Sequence, residues 1–251
     1  MKSFFIRFYK LGCDLVKMLG LLGWLDGLTA AGVIIFGLVV GVLSFYHARK
    51  LNAELLAVAG LTILFVGMLW LGPFTDFLHC VLLNRNLDNS FGLYGLLSYT
   101  WVAPALTCAM YIGAELLAPK KKGAIVSIYV VLGIFFELFL YLDTENTFIF
   151  VEPPAPGEDL IDSSFIMGSP TFILIATFLV SVLIFNGIGF FKKGKQSTGE
   201  VRRNFYFLSA GFSLFSFAAA FDSLVAPGLF LAFVRITVII SAYFMYKGLK
   251  T

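Results

Sequence analysis

The sequence predicts an all-α integral membrane protein: a seven-transmembrane helix bundle with an N-terminal amphipathic interfacial helix. Of its 251 residues, 59% are hydrophobic and only 13% are charged, and the mean hydropathy is +0.92. A soluble domain carries about a quarter charged residues, so the composition excludes a water-soluble globule. Seven stretches are long and apolar enough to cross about 30 Å of hydrocarbon as helices.

The first 27 residues are predicted to form the amphipathic helix, which would lie in the membrane interface. Polar residues recur there at alternating steps of four and three, which places them on one side of a helix. These residues are Ser3, Arg7, Lys10, Asp14 and Lys17. An eighth span is the alternative, although inserting Asp14 and Lys17 together into the bilayer would be costly.

Residues 28–251 are predicted to form the seven-helix transmembrane domain, without a further domain boundary. The spans are placed near Leu28–Tyr46, Ala53–Leu78, Phe91–Leu117, Gly123–Leu142, Pro170–Phe190, Asn204–Ser223 and Pro227–Tyr246. Asp26 is interpreted as the cap of the first span, and Pro73 is expected to kink the second. Pro170 and Pro227 occupy first-turn positions, where the missing N–H of proline is harmless.

The distribution of basic residues orients the predicted bundle. The loops after spans one, three and five and the C-terminal tail carry Arg49, Lys50, Lys120, Lys121, Lys122, Lys192, Lys193, Lys195, Arg202, Arg203, Lys247 and Lys250. The opposing loops carry one basic residue, Arg85, and the loop Asp143–Ser169 has six acidic residues and no basic one. The positive-inside rule then predicts a multi-pass protein of the cell membrane, with its N-terminus outside and its C-terminus in the cytoplasm.

Two features of the loops suggest contacts outside the bilayer. The prolines within Pro153–Gly157 break regular structure, so the acidic loop either covers the outer face or extends into solvent. The basic residues Lys120, Lys121, Lys122, Lys192, Lys193, Lys195, Arg202 and Arg203 form a predicted cytoplasmic surface. Such a surface attracts anionic lipid headgroups by about 1 kcal/mol per charge. Membrane lipids are therefore the expected partners, a cytoplasmic signalling protein is the alternative, and no nucleic acid is expected.

Four charged residues lie in the outer half of the predicted spans, where each needs a partner or a water-filled cavity. They are Arg235 in span seven, Glu137 in span four, Asp222 at the end of span six and Asp76 in span two. An ion pair between Arg235 and either Glu137 or Asp222 is the simplest arrangement that avoids an orphan charge.

Aromatic residues at a similar depth, Tyr99, Trp101 and Tyr141, complete a predicted ligand pocket with these four charges. Ligand pockets are typically apolar, with a few fixed polar groups. The alternative interpretation is an ion pair that fixes helix packing, with the aromatic residues serving as anchors at the membrane interface.

Few residues suggest metal or covalent chemistry. Asp76, His79 and Cys80 fall at i, i+3 and i+4 on one helical face, and their side-chain types can bind a divalent metal. Without a second His or Cys group this cluster has little specificity, so no metal is expected. No nucleophile–base pair is apparent, and the last span has no interior lysine for a retinal Schiff base. We therefore expect no catalytic residue, no cofactor and no enzymatic activity.

Three stretches invite comparison with a known family: the short basic turn His47–Asn52, the run Leu97–Pro104 that opens span three, and Arg202–Arg203 before span six. With the overall layout, they resemble the seven-helix sensor region at the N-terminus of some prokaryotic histidine kinases. The resemblance implies a receptor-like protein with a small ligand in an outer-leaflet polar pocket. Those modules precede a cytoplasmic effector, whereas this sequence ends at Thr251, so the resemblance implies a separate output partner. A small-solute transporter or channel, or a non-catalytic subunit of a membrane complex, is the alternative.

Overall fold

The computed structural model describes residues 19–225 and 228–250. The polar stripe between Ser3 and Lys17 and the first-turn Pro227 lie outside these residues. The described residues form a multi-span, all-α membrane bundle with one short β-hairpin. Six helical runs are long and apolar enough to cross a membrane, and a seventh crossing results if one bent helix pair counts as a single span.

The elements follow one another in chain order. The α-helices are α1 (Leu21–Leu51), α2 (Glu54–Met68), α3 (Leu71–Leu83), α4 (Leu93–Tyr99), α5 (Val102–Leu117), α6 (Lys122–Leu142), α7 (Pro170–Ser181), α8 (Gly189–Lys195), α9 (Gly199–Asp222) and α10 (Leu229–Leu249). A π-helical segment, Val182–Ile188, joins α7 to α8. Strands β1 (Phe148–Val151) and β2 (Asp162–Phe165) form the hairpin.

Helix α1 begins earlier than the sequence predicted. It starts at Leu21 and not near Leu28, so part of the predicted interfacial segment belongs to the first long helix. Asp26 lies inside α1 and is buried, while Gly20 takes the N-cap position without a side-chain cap. The interpretation of Asp26 as a helix cap was therefore wrong. Apolar residues on both sides of Asp26 continue the helix, and its carboxylate finds a partner elsewhere in the bundle.

One span is broken, and another is briefly interrupted, where a proline removes a backbone N–H. Helices α2 and α3 meet at an angle of 46°, with the break at residues 69–70. Pro73 cannot donate to the carbonyl of Leu69 four residues earlier, and its ring displaces that carbonyl. Pro104 has the same relation to Thr100, which lies between α4 and α5. The kink expected in span two is confirmed. The interruption at residues 100–101 leaves Ser90–Leu117 as one span and is an additional finding.

Most of the helices form a closed ring. Helix α1 packs against α2 and α10, α2 packs against α5, and α9 packs against α10 and the π-helical segment. A Cβ atom added to Gly37 on α1 would lie 2.9 Å from the Cα of Gly67 on α2, so these two helices approach closely. Helix α6 packs outside the ring on α5 and α7. Only 17% of its most apolar stretch is buried, against 44% for α10.

The two ends of the bundle differ. We call the end formed by residues 84–92, 143–169 and 223–225 the hairpin end, and the end formed by residues 49–53, 118–122 and 192–203 the basic end. At the hairpin end, β1 and β2 pair antiparallel with Phe148 opposite Phe165. These two rings pack on Tyr99, with centroids 5.2 and 4.6 Å away. The strands of the acidic loop thus cover this end of the bundle, whereas most of residues 152–156 between them are exposed.

Candidate functional site

Arg235 joins three helices near the hairpin end. Only 4% of its side chain is exposed. Its Nη1 lies 2.8 Å from Oδ1 of Asp26 on α1, and its Nε lies 3.5 Å from Oδ1 of Asp222 at the end of α9. Nη1 also donates to the backbone carbonyl of Asp26 at 2.6 Å and to Oγ1 of Thr29 at 3.0 Å. The guanidinium therefore faces protein, where acidic and carbonyl oxygens replace its hydration shell.

This ion-pair cluster carries more negative than positive formal charge. Asp26 and Asp222 share the one guanidinium of Arg235, and Asp162 of β2 is close enough to interact with its charge. Burial raises the pKa of the Asp162 carboxyl, while the backbone N–H of Ser163 and the positive charge of Arg235 oppose that rise. Uncompensated charge is costly in a low-dielectric interior, so the cluster favours an additional proton or cation over an anion.

The two carboxylates of the cluster differ in accessibility. The side chain of Asp26 is 7% exposed, whereas that of Asp222 is 22% exposed and lies in the wall of a cavity. The indole nitrogen of Trp70 is buried near Asp222 without a hydrogen-bond partner of good geometry. Asp222 is therefore the member of the cluster that a molecule in the cavity would meet first.

The cavity beside Asp222 is small and mainly apolar. Its volume is about 90 Å³. The residues in its wall include Thr62, Val66, Trp70, Tyr99, Ala105, Ile175, Phe178, Val182, Phe212, Phe215, Ala219, Asp222, Ser223 and Met245. The polar groups of Asp222, Ser223 and Trp70 lie at the hairpin end of the cavity. Thr62 lies farther in, and its hydroxyl already donates to the carbonyl of Val58 in its own helix. An apolar space with polar groups at one end suits an amphiphilic molecule.

Glu137, which the sequence grouped with Arg235, lies elsewhere. It is on α6, outside the helix ring, in a groove that α6 forms with Thr100, Pro104 and other residues of the third span. Neither of its carboxylate oxygens has a hydrogen-bond partner among the described residues. Because α6 contacts α5 and α7, Glu137 cannot reach α10, and the alternative pair Arg235–Glu137 is not formed.

Asp76 also lies outside the cluster, fully buried in α3. Its Oδ1 accepts the backbone N–H of Leu87 at 2.6 Å, and its Oδ2 accepts that of Ile161 at 2.8 Å. The side-chain amide of Asn86 donates to both oxygens and to the backbone carbonyl of Asp159. Asp76 therefore fastens two loops of the hairpin end to the bundle, and it is not part of the cavity wall.

The three predicted pocket aromatics are also separated. Tyr99 lines the cavity and packs under the hairpin. Trp101 stacks on Phe65 and donates to the carbonyl of Leu97 within its own segment. Tyr141 is exposed on α6, where its hydroxyl lies 2.6 Å from Oγ1 of Thr100. Of the seven predicted pocket residues, the structure brings together Arg235, Asp222 and Tyr99.

Two of the three residues considered for metal binding, Asp76 and Cys80, serve other contacts. Within residues 19–225 and 228–250, no three His, Cys, Asp or Glu side chains are placed to hold a metal ion. The oxygens of Asp76 are occupied by amides, and Sγ of Cys80 lies 3.4 Å from the Asn86 amide nitrogen. The Nδ1 atom of His79 has no hydrogen-bond partner in the described structure.

The eight basic residues of the predicted cytoplasmic surface all lie at the basic end. Lys122 is half-buried, 2.7 Å from Glu115, and the other seven are exposed. Lys195 lies over the ring of Phe191, and Arg202 over that of Tyr206. Arg203 pairs with Glu200 at 3.2 Å. These contacts hold the side chains along α8 and the first turns of α9 and leave their charges accessible to headgroups or to an acidic protein.

Two residues of interest were missed from the sequence. Asp26 was assigned to a helix end, although an acid inside a continuous apolar run is a signal of a buried partner. Asn186 is fully buried in the π-helical segment and donates its amide to the carbonyl of Ala109 at 2.8 Å. Oγ of Ser209 donates to the carbonyl of Gly187 at 2.8 Å. No sequence pattern marks a π-helical segment, because it depends on such contacts with neighbouring helices.

Compared with known proteins, the chain matches no protein-family model, and no curated protein matches it either.

Proposed function

We propose that this multi-span membrane protein is a heptahelical receptor or sensor that binds a small ligand in the cavity beside Asp222. In this proposal the hairpin end faces outward and the basic end faces the cytoplasm, as the positive-inside rule requires. The proposal agrees with the resemblance to the sensor regions of prokaryotic histidine kinases. It places the ligand near Arg235, Asp222 and Tyr99, and it leaves Asp76, Glu137, Trp101 and Tyr141 outside the pocket.

One observation carries the proposal: the cavity adjoins a helical segment of irregular geometry that leads directly to the basic end. Val182 is both a wall residue of the cavity and the first residue of the π-helical segment. The segment ends at Ile188, and α8 with Lys192, Lys193 and Lys195 follows without a break. An occupant of the cavity would therefore contact the element that positions the basic residues.

A π-helical segment has two discrete forms between which a ligand could select, the π-helical form and the α-helical form. It holds one residue more in its turn than an α-helix does. Conversion to α-helix would rotate the following α8 by about 100° and shift it by about 1.5 Å. In the present form, the bonds from Asn186 to Ala109 and from Ser209 to Gly187 stabilise the wide turn. A ligand that favours one form would move the lysines of α8 relative to headgroups or to a partner protein.

The proposed coupling is tested by filling the cavity with a larger side chain. Ala219 lies in the cavity wall, so Ala219→Phe would place a ring where a ligand would sit. In lipid nanodiscs, we expect hydrogen exchange across residues 182–195 to change by roughly threefold or more, because the amide bonding of the π-helical segment would be altered. Ala124→Phe, on the exposed face of α6, is the matched control and should leave exchange in this region unchanged. Unchanged exchange in Ala219→Phe would contradict the proposed coupling.

The broken second span favours a second candidate, a carrier for a small solute. Leu69 and Trp70 at the break, and Tyr99 beside the short interruption of the third span, all line the cavity. Discontinuous helices that border a central site are common in secondary transporters. Uptake of radiolabelled methylammonium into proteoliposomes separates the two candidates. A carrier would give uptake that Asp222→Asn abolishes, whereas a sensor would give no uptake above protein-free liposomes.

A further inference from the structure

The charge of the ion-pair cluster restricts what the cavity beside Asp222 accepts. Asp26 and Asp222 together balance only one guanidinium, that of Arg235, which leaves one formal negative charge. Asp162 adds a third carboxylate within range of the same arginine. Among the described residues, no lysine or second arginine forms an ion pair with these acids. A carboxylate or phosphate ligand would add to an existing excess of negative charge.

Asp222 offers this excess charge to the cavity. It is the more exposed of the two acids paired with Arg235, and at 3.5 Å its ion pair is the longer one. The aromatic rings of Trp70, Tyr99 and Phe215 line the cavity as well. The faces of aromatic rings attract cations, most strongly where water is excluded. A carboxylate combined with aromatic rings is a suitable receptor for an ammonium group.

Beyond this charged end the cavity is narrow and apolar. Its wall follows α9 from Asp222 back to Phe212, which spans about 15 Å at the 1.5 Å rise of an α-helix. The cavity volume of about 90 Å³ suits a short unbranched chain and excludes a fused-ring body. Phe178 and Phe212 supply apolar wall surface along it.

We propose, on the basis of the proposed ligand-binding function, that the ligand is a monocationic amphiphile: a protonated amine attached to a slender apolar chain. The ammonium group lies at Asp222 and balances the one formal negative charge that Asp26, Asp222 and Arg235 leave among themselves. The short apolar chain extends from Asp222 along α9 towards the rings of Phe178 and Phe212.

Three probes of equal chain length test this inference: n-butylamine, n-butanol and n-butanoate. The protein, in nanodiscs of neutral phosphatidylcholine, carries Trp24→Phe and Trp101→Phe, so that Trp70 is the remaining tryptophan and reports on the cavity. Titrations are corrected with protein-free nanodiscs. We expect butylamine to bind at least about tenfold more tightly than butanol, because its ammonium group meets the negative cluster. Butanoate should bind most weakly, because its carboxylate adds to the excess of negative charge.

Two variants test whether the preference for the amine depends on Asp222. Asp222→Asn should reduce the difference in affinity between butylamine and butanol to roughly twofold and leave butanol binding unchanged, since the apolar wall is intact. Glu137→Gln is the matched control: it also neutralises a carboxylate within a span, but outside the cavity, and should preserve the tenfold preference. The comparison of the three probes on the unsubstituted Asp222 protein remains decisive if Asp222→Asn does not fold.

The outcomes separate this inference from the function on which it rests. If butanol or butanoate binds as tightly as butylamine, the cavity remains a ligand site and the cationic preference is overturned. If Glu137→Gln removes the preference and Asp222→Asn does not, the amine binds in the groove of α6 and the inference is equally overturned. If none of the probes changes the emission of Trp70, the ligand-binding function itself fails.

Discussion

Arg235 shows how a single buried charge organises its surroundings. Its guanidinium contacts side-chain and backbone oxygens of α1 and the carboxylate of α9, so three helices meet at one residue. Removing one partner from a buried ion pair leaves an uncompensated charge in low dielectric, which costs far more than the pair contributes. The effect on stability of substituting Arg235, Asp26 or Asp222 is therefore expected to depend strongly on whether the other two are present.

Arg235→Gln should destabilise the protein by about 3–5 kcal/mol, because it leaves two buried carboxylates without their counter-charge. Adding Asp26→Asn and Asp222→Asn to this variant should recover a large part of the loss. Thermal unfolding in detergent measures both effects. Arg203→Gln removes an exposed ion pair with Glu200 and serves as the control, with little change expected. Equal losses in Arg235→Gln and Arg203→Gln would rule out a buried cluster.

Asp162 is expected to make stability depend on pH. Burial raises the pKa of its carboxyl, so the folded protein binds this proton more tightly than the unfolded chain does. The bound proton stabilises the folded state below the ordinary carboxyl pKa of about 3.9. This stabilisation is lost as the pH rises through the raised pKa of Asp162. Asp162→Asn should therefore raise the unfolding temperature more at pH 7 than at pH 4.

Asp88 is the matched control for this pH dependence. It is exposed, and hydrogen bonds from the hydroxyl and backbone N–H of Ser90 lower its pKa. Asp88→Asn should then give a small effect of the opposite sign, with stability lost mainly at pH 7. If both variants respond to pH in the same direction, the burial of Asp162 against the bundle is incorrect.

At the scale of elements, the spans followed from the sequence more readily than their interruptions. The thickness of the hydrocarbon requires about 20 consecutive apolar residues in each span, which can be read from the local sequence. Apolar runs therefore located the long helices near their observed positions. The Pro73 kink was also predictable, because proline acts on the backbone four residues earlier. The π-helical segment was not, since the contacts of Asn186 and Ser209 join residues far apart in the chain.

The π-helical segment depends on the space that Gly113 leaves on α5. A Cβ atom at Gly113 would collide with Oδ1 of Asn186. Gly113→Ala should therefore lower the free energy of unfolding and change hydrogen exchange across residues 182–188. Gly123→Ala, on α6 with open space around it, should instead stabilise the helix by up to about 1 kcal/mol. Stabilisation by both substitutions would mean that Asn186 does not occupy this position.

At the scale of the whole molecule, the candidate site was predicted only in part. The sequence offered Asp222 and Glu137 as alternative partners of Arg235, because buried charges at similar depth tend to pair. It also included Glu137 and Asp76, since depth along a span says nothing about direction around the bundle. Helix α6 lies outside the ring, which separates Glu137 from Arg235, and Asp76 is occupied by the amides of Leu87 and Ile161.

The contrast between the two ends of the bundle predicts its orientation. Basic residues occupy one end and the acidic hairpin the other, so Ser197 should face the cytoplasm and Glu152 the outside. Single cysteines placed at Ser197 or Glu152, in a chain whose three native cysteines are replaced by alanine, can be tested with a membrane-impermeant maleimide on intact cells. Labelling at residue 152 and protection at residue 197 are expected, and the reverse pattern would invert the proposed topology.

The bond between Arg235 and Asp26 has a consequence for biogenesis. The two residues are 209 positions apart, so the ribosome releases the acid long before it makes the base. At about 5–20 residues per second, the nascent first helix waits roughly 10–40 s for its counter-charge. During translation, Asp26 must therefore enter the lipid in its neutral form or be sheltered by the insertion machinery. The last helix then completes the assembly, and a chain truncated before it should be recognised as unfinished by membrane quality control.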